Sequence, residues 1–296
     1  MIHRYWRRLA LYSGQTKLKM KKITVLCCWT LLFLHTIKVF GQKPPKYHGR
    51  LETLLFQTNH PSPSMVVAFG GSEGGHTFAS EKTATVREQF SQRGFHFLSI
   101  AYFGEKKLPK TIDRISLQAI QDTITAVRDR LGITPEKTIL LGASRGGELV
   151  LNLASYYQFG GVIAMVPANV TIPSYAGKQP TSSWMAGNKE VPFISLDEQS
   201  IHREGWHNTL LTALSTIDVD DPAHIPVEQS QGFVLLTSGK SDALWPSFEM
   251  CEALIRRLEQ KGFPHPFKHQ AYVGGHNPSG HWKEVFQFLD QVTEVE

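Results

Sequence analysis

The run Lys137-Thr-Ile-Leu-Leu-Gly-Ala-Ser-Arg-Gly-Gly-Glu-Leu-Val-Leu-Asn-Leu-Ala154 constrains this chain more than any other stretch. An apolar strand ends near Leu141, Gly142-Ala-Ser-Arg-Gly146 makes a sharp turn, and an amphipathic helix follows. A strand-to-helix turn of the form G-x-S-x-G lifts a serine hydroxyl out of a sheet and aims a helix N-terminus at it. The glycines on either side of Ser144 fit where a β-carbon would clash in so tight a turn. Ser144 is therefore the candidate nucleophile; a capping serine at a glycine-rich helix start is the plainer alternative.

The rest of the chain repeats this alternation. Met65–Phe69, Phe95–Tyr102, Gly161–Val166, Gly232–Ser238 and Phe267–Val273 read as short strands. Lys82–Arg93, Ser116–Leu131, Ser247–Gly262 and Trp282–Val292 read as helices, with Leu117, Ile120, Ile124 and Val127 spaced along one helical face. Uniformly apolar strands alternating with helices imply a mostly parallel central sheet covered on both faces. In such sheets ligands bind beyond the carboxyl ends of the strands. Between Pro167 and Gln231 the alternation lapses for longer than an ordinary connection. Residues 168–231 read as a candidate cap insertion over the site, or as surface decoration packed by its own aromatics.

Charge separates the two ends of the chain. Its 31 Lys and Arg against 26 Asp and Glu give a net +5, yet residues 1–41 hold eight of the basic residues and no acidic one. The remainder has 23 basic and 26 acidic residues, a net −3. The basic excess belongs to the leader, so it argues for export and against nucleic-acid binding. Lys19, Lys21 and Lys22 precede an apolar stretch from Ile23 to Leu34, and a cut before Gln42 is in keeping with a signal peptide. Residues 1–41 read as a signal peptide or an N-terminal anchor, with translation starting at Met1 or Met20. Any membrane contact is expected through that segment uncleaved. Residues 42–64 read as linker and N-terminal extension, and 65–296 as one catalytic domain. Of the three cysteines only Cys251 lies beyond the leader, at helical spacing that suits a buried structural thiol. No Cys/His cluster has zinc-site spacing, and neither metal nor cofactor is expected.

A serine nucleophile needs a base, and the base an orienting carboxylate. On this architecture they follow in the order Ser, acid, His. Asp242 stands just past one late strand, in Ser238-Gly-Lys-Ser-Asp242, and His276 just past the last, in Gly274-Gly-His276. Asp218, Asp220 and Asp221 read as a solvated turn, His269 as a structural residue within a strand, and His281 as a helix cap or substrate contact. Oxyanion donors come from the residue after the nucleophile and from the turn after an early strand. These are the amides of Arg145 and of Ser72 in Gly70-Gly-Ser-Glu-Gly-Gly75. The Arg145 side chain is expected to be exposed by the turn, where it attracts an anionic substrate or simply meets solvent.

Taken in order, Phe69-Gly-Gly-Ser-Glu-Gly-Gly75, Arg93-Gly-Phe95, Ala101-Tyr-Phe103, Leu108-Pro-Lys-Thr111, Leu141-Gly-Ala-Ser-Arg-Gly-Gly-Glu-Leu149, Ile225-Pro-Val-Glu228 and Gly274-Gly-His276 form a pattern. It resembles the C-terminal catalytic domain of acyl-CoA thioesterases and bile acid-CoA:amino acid N-acyltransferases, a branch of the dienelactone-hydrolase-like α/β-hydrolases. The likeness runs from about Met65 to Val292. It implies an α/β-hydrolase fold and a Ser/Cys–Asp–His triad acting on acyl thioesters, carried here by Ser144, Asp242 and His276. The N-acyltransferases use cysteine; serine favours hydrolysis, with water accepting the acyl group. The N-terminal β-sandwich of the animal enzymes is not matched by the roughly 20 residues between leader and first strand. The expected partner is a small acyl ester or thioester. The alternatives are an exported carboxylesterase or peptidase-like hydrolase on the same triad, or a non-catalytic binding protein on a hydrolase scaffold.

Overall fold

In the computed structural model, residues 45–61, 63–277 and 282–293 are described. Every described residue belongs to one compact unit, Lys43–Glu296. The leader and His281 lie outside the described residues. Among those described, no helix is long and apolar enough to cross a membrane.

Seven strands make the central sheet: β1 (Glu52–Phe56), β2 (Ser64–Phe69), β3 (Phe95–Ala101), β4 (Thr138–Ala143), β5 (Gly161–Met165), β6 (Phe233–Gly239) and β7 (Phe267–Tyr272). Their order is β1-β3-β2-β4-β5-β6-β7, parallel throughout except that β1 runs antiparallel to β3. Among the described residues six α-helices accompany them: α1 (Ala84–Gln92), α2 (Leu117–Leu131), α3 (Arg145–Tyr156), α4 (Glu198–Leu214), α5 (Ser247–Gln260) and α6 (Trp282–Thr293).

The pleat divides the apolar side chains between two layers. Met65, Val67 and Phe69 of β2 join Leu140 of β4 and Leu236 of β6 in a core with α2, α3 and α5. Val66, Ala68, Ile139 and Leu235 face the other way, against Phe90 of α1 and Phe286 and Leu289 of α6. Strands buried on both faces cannot alternate apolar with polar residues, which is why they read as unbroken apolar runs. Each fully buried Leu, Ile or Val contributes about 1.5–3 kcal/mol, so this double layer anchors the strand ends that carry the site. The Ser116 hydroxyl accepts from the Ala119 amide at 3.1 Å and caps α2.

One boundary differs from the sequence reading. The sheet starts at Glu52, inside the 42–64 stretch read as linker and extension. As an edge strand with mostly exposed side chains, β1 lacks the buried pattern that marks β2 to β6. Residues 168–231 contain four two- or three-residue strands and α4, which breaks at Gly205. They form a third core of Ala168, Val170, Ile172, Leu210 and others, joined by Trp245 and Met250 of the main fold.

Candidate active site

Five carboxyl strand ends converge because the register aligns them. Phe69 of β2 pairs with Gly142 of β4, Ala143 of β4 with Met165 of β5, and Gly239 of β6 with Tyr272 of β7. The turns leaving these strands therefore meet on one edge of the sheet.

Ser144 stands at the turn between β4 and α3 with φ 56° and ψ −119°, a backbone conformation that costs a non-glycine residue on the order of 1–3 kcal/mol. Its amide donates to Met165 O at 2.8 Å and its carbonyl accepts from the Glu148 amide at 3.1 Å, so both neighbours hold the strained turn. A β-carbon on Gly142 would sit 2.0 Å from Gly146 O, and one on Gly146 would sit 2.5 Å from Phe69 O and Gly70 O. Only glycine fits at either position.

His276 bridges the other two predicted residues. Its Nε2 lies 2.9 Å from Ser144 Oγ and its Nδ1 lies 2.7 Å from Asp242 Oδ2. A carboxylate only accepts, so Nδ1 carries the proton and Nε2 is left to accept from the serine hydroxyl. The ring packs edge-on against Trp245, with centroids 5.2 Å apart, while the Tyr272 hydroxyl donates to Asn277 O at 2.7 Å and holds the His276 loop. Asp242 is buried and accepts from Ser247 Oγ at 2.6 Å, the Leu244 amide at 3.0 Å and the Trp245 amide at 3.3 Å. Burial works against its charge, but the donors from His276 and Ser247 outweigh it and hold the carboxyl below its ordinary value.

The turn after β2 packs directly on Ser144. A β-carbon on Gly71 would lie 3.0 Å from Ser144 Cβ, and Glu73 Oε1 braces the turn by accepting from the Gly71 amide at 3.0 Å and Thr77 Oγ1 at 2.6 Å. Ser72 lines both cavities that reach Ser144. The larger, about 560 Å³, has walls that include Phe103, Ile112, Ile172, Tyr175, Trp206 and Trp245. The smaller, about 330 Å³, is lined by Glu73, Thr77, Phe78, His276 and Trp282. Segment 168–231 thus supplies a wall of the larger cavity as well as a core of its own.

Arg145 corrects the sequence reading. Its side chain is buried, not exposed: Nη1 donates to Glu148 Oε2 at 2.5 Å, and Nη2 to Ser183 Oγ and Ile172 O. Glu148 also accepts from the Trp184 indole at 2.7 Å and the Ile172 amide at 3.0 Å. The Arg145 guanidinium is thus paired with this fully buried carboxyl rather than held out in solvent, although Arg145 also borders the larger cavity. Burial pushes the Glu148 carboxyl above its ordinary value, against the opposing pull of Arg145.

The remaining candidates stand elsewhere. His269, within β7, bonds Ser238 Oγ at 2.7 Å and Glu252 Oε1 at 2.6 Å. In the turn at 218–221, Asp221 accepts from the Ala223 amide. Cys251 is buried in the α5 core, and burial raises its thiol well above the ordinary range. Among the described residues no group of three His, Cys, Asp or Glu side chains could hold a metal ion. Sequence reasoning missed Ser247 and Trp245 as supports of Asp242 and His276; a hydroxyl five residues past the acid was the one available hint.

Solved structures share this fold at low identity. A puromycin-hydrolyzing peptidase from Mycobacterium tuberculosis aligns with TM-score 0.56 and 15% identity, over 84% of this chain and 38% of the other. A putative dienelactone hydrolase from Klebsiella pneumoniae aligns with TM-score 0.52 and 12% identity, over 81% and 98%. The fold is that of the α/β-hydrolases. In sequence the chain is similar to mitochondrial acyl-coenzyme A thioesterase 2 of Mus musculus, 26% identical over 229 residues. It is also similar to acyl-coenzyme A thioesterase 1 of Homo sapiens, 24% identical over 223 residues. Those matches cover 76% and 75% of this chain but 47% and 50% of the relatives, so the chain spans about half the length of the curated relatives it matches. Residues 115–282, more than half of the chain, match the model for the BAAT / Acyl-CoA thioester hydrolase C-terminal family, and the chain belongs to that family.

Proposed function

We propose that this protein is an exported serine hydrolase of acyl esters or thioesters, working through Ser144, His276 and Asp242. The observation that carries the reading is the continuous hydrogen-bonded path from Ser144 Oγ through both nitrogens of His276 to a buried carboxylate.

His276 Nε2 takes the Ser144 proton as Oγ attacks the substrate carbonyl. The Ser72 and Arg145 amides donate to the oxyanion that forms; one such donor is worth about 10²–10³ in kcat. When the tetrahedral intermediate collapses, the carbonyl carbon's bond to the leaving oxygen or sulfur breaks, and His276 returns its proton to that atom. Water then gives a proton to the same nitrogen and attacks the acyl-enzyme, releasing the acid and restoring the Ser144 hydroxyl. Asp242 holds the imidazole in the required tautomer and stabilises the imidazolium. The strain at Ser144 and the fixed Trp245 contact keep the groups in place before substrate arrives. The leader at 1–41 supports export to the periplasm or the outside of the cell, and any membrane association would run through that segment.

The test is Ser144→Ala assayed on short p-nitrophenyl esters and on acyl thioesters. The variant is expected to keep its circular dichroism spectrum and thermal transition while losing turnover of both. Undiminished turnover would contradict the proposal.

A further inference from the structure

The two cavities that share Ser144 differ in chemistry. His276 lines the smaller and not the larger. The imidazole must reach the leaving atom to protonate it, so the smaller cavity takes the leaving group and the larger takes the acyl group. The larger cavity is walled mainly by aliphatic and aromatic side chains, and among the described residues just two of its lining side chains are charged, Lys110 and Arg145. Arg145 is committed to Glu148 beneath α3. Lys110 is exposed, and among the described residues no carboxylate lies within ion-pair distance of it. It belongs to the Leu108-Pro-Lys-Thr111 motif, which the reaction itself does not use. Lys110 also lines an adjoining groove of about 460 Å³, together with Lys46, Lys106 and Glu105. The cationic character of the acyl side thus continues outward from the cavity.

We infer that the larger cavity selects acyl groups bearing an anionic group remote from the carbonyl, such as an ω-carboxylate, with Lys110 as the residue that recognises it. The inference rests on the hydrolase reading above and names the substrate class for that site. An apolar chain fills the aromatic wall, and the terminal anion meets the ammonium at the rim. The smaller cavity presents Glu73 and, among the described residues, no lysine or arginine, which disfavours a polyanionic leaving group there.

Two pairs of substrates test this. The p-nitrophenyl monoester of suberic acid and its ω-methyl ester differ only in the anion on the acyl group. Octanoyl-CoA and octanoyl-N-acetylcysteamine differ mainly in the anions on the leaving group. The native enzyme should favour the free suberate over its methyl ester in kcat/KM by about tenfold, the order of one charge-assisted hydrogen bond. Lys110→Met should bring that ratio toward one, Lys110→Arg should keep it, and neither should move the ratio between the two octanoyl thioesters. A native suberate ratio near one, or a Lys110→Met effect confined to the thioester pair, would overturn the assignment while leaving the hydrolase reading intact. No turnover of any of the four substrates would overturn both.

Discussion

Asp242 and Glu148 are both carboxyls buried beside the same serine, and the protein uses them in opposite ways. Asp242 receives two backbone amides, one hydroxyl and the imidazole of His276, and the imidazole leads out to Ser144 and the cavities. Glu148 receives a guanidinium, an indole and an amide, all of them enclosed. The first carboxyl is held below its ordinary value and the second is raised by burial. Number of donors does not separate them; what separates them is whether one partner can pass a proton onward. Glu148 instead ties the start of α3 to Ile172 and Trp184, which fixes the 172–184 segment against the Ser144 turn.

The largest effect that could break this contrast is catalytic. Asp242→Asn should lower kcat by about 10⁴-fold, because the amide favours the wrong imidazole tautomer, while the thermal transition moves little. Stopped turnover assays beside calorimetry would check it; a large loss of stability with modest loss of rate would reverse the roles assigned here. Glu148→Ala should act the other way, destabilising the fold by about 3–5 kcal/mol because the Arg145 guanidinium is left buried without its partner. In denaturant titrations, the paired replacement Arg145→Met with Glu148→Leu should recover most of that loss.

The smallest effect is in the pH dependence of stability, and its sign differs between the two groups. A carboxyl depressed in the folded state, such as Asp242, contributes stability above the ordinary aspartate value near 4 that is lost as pH falls through the folded value. A carboxyl raised in the folded state, such as Glu148, holds its proton longer than in the unfolded chain. Stability therefore falls as pH rises from the ordinary glutamate value through the folded one. Asp242→Asn should flatten the acid side of the curve and Glu148→Gln the slope above it, read as denaturation midpoints across pH 2–8.

Much of the site was legible in the sequence because strand ends punctuate it. Ser144, Asp242 and His276 each follow an apolar run and a glycine-containing turn, and a parallel sheet brings such turns to one edge. The buried pair was not legible. Arg145 follows Ser144 in a tight turn, and the partners that bury it, Ser183 and Ile172, stand 38 and 27 residues further on. The edge strand β1 escaped notice for a different reason, since its apolar run, Leu54-Leu-Phe56, is only three residues long and flanked by polar residues. Local sequence marks the ends of elements well; it says little about which distant loop will close over a side chain.

The proposed reaction stands on Ser144 acting as a nucleophile activated by His276. Reaction with a fluorophosphonate followed by peptide mass spectrometry tests it most directly. A single adduct on Ser144 is expected, abolished in Ser144→Ala and strongly slowed in His276→Ala. A folded protein that takes up no label, or one labelled at the same rate after His276 is replaced, would contradict it.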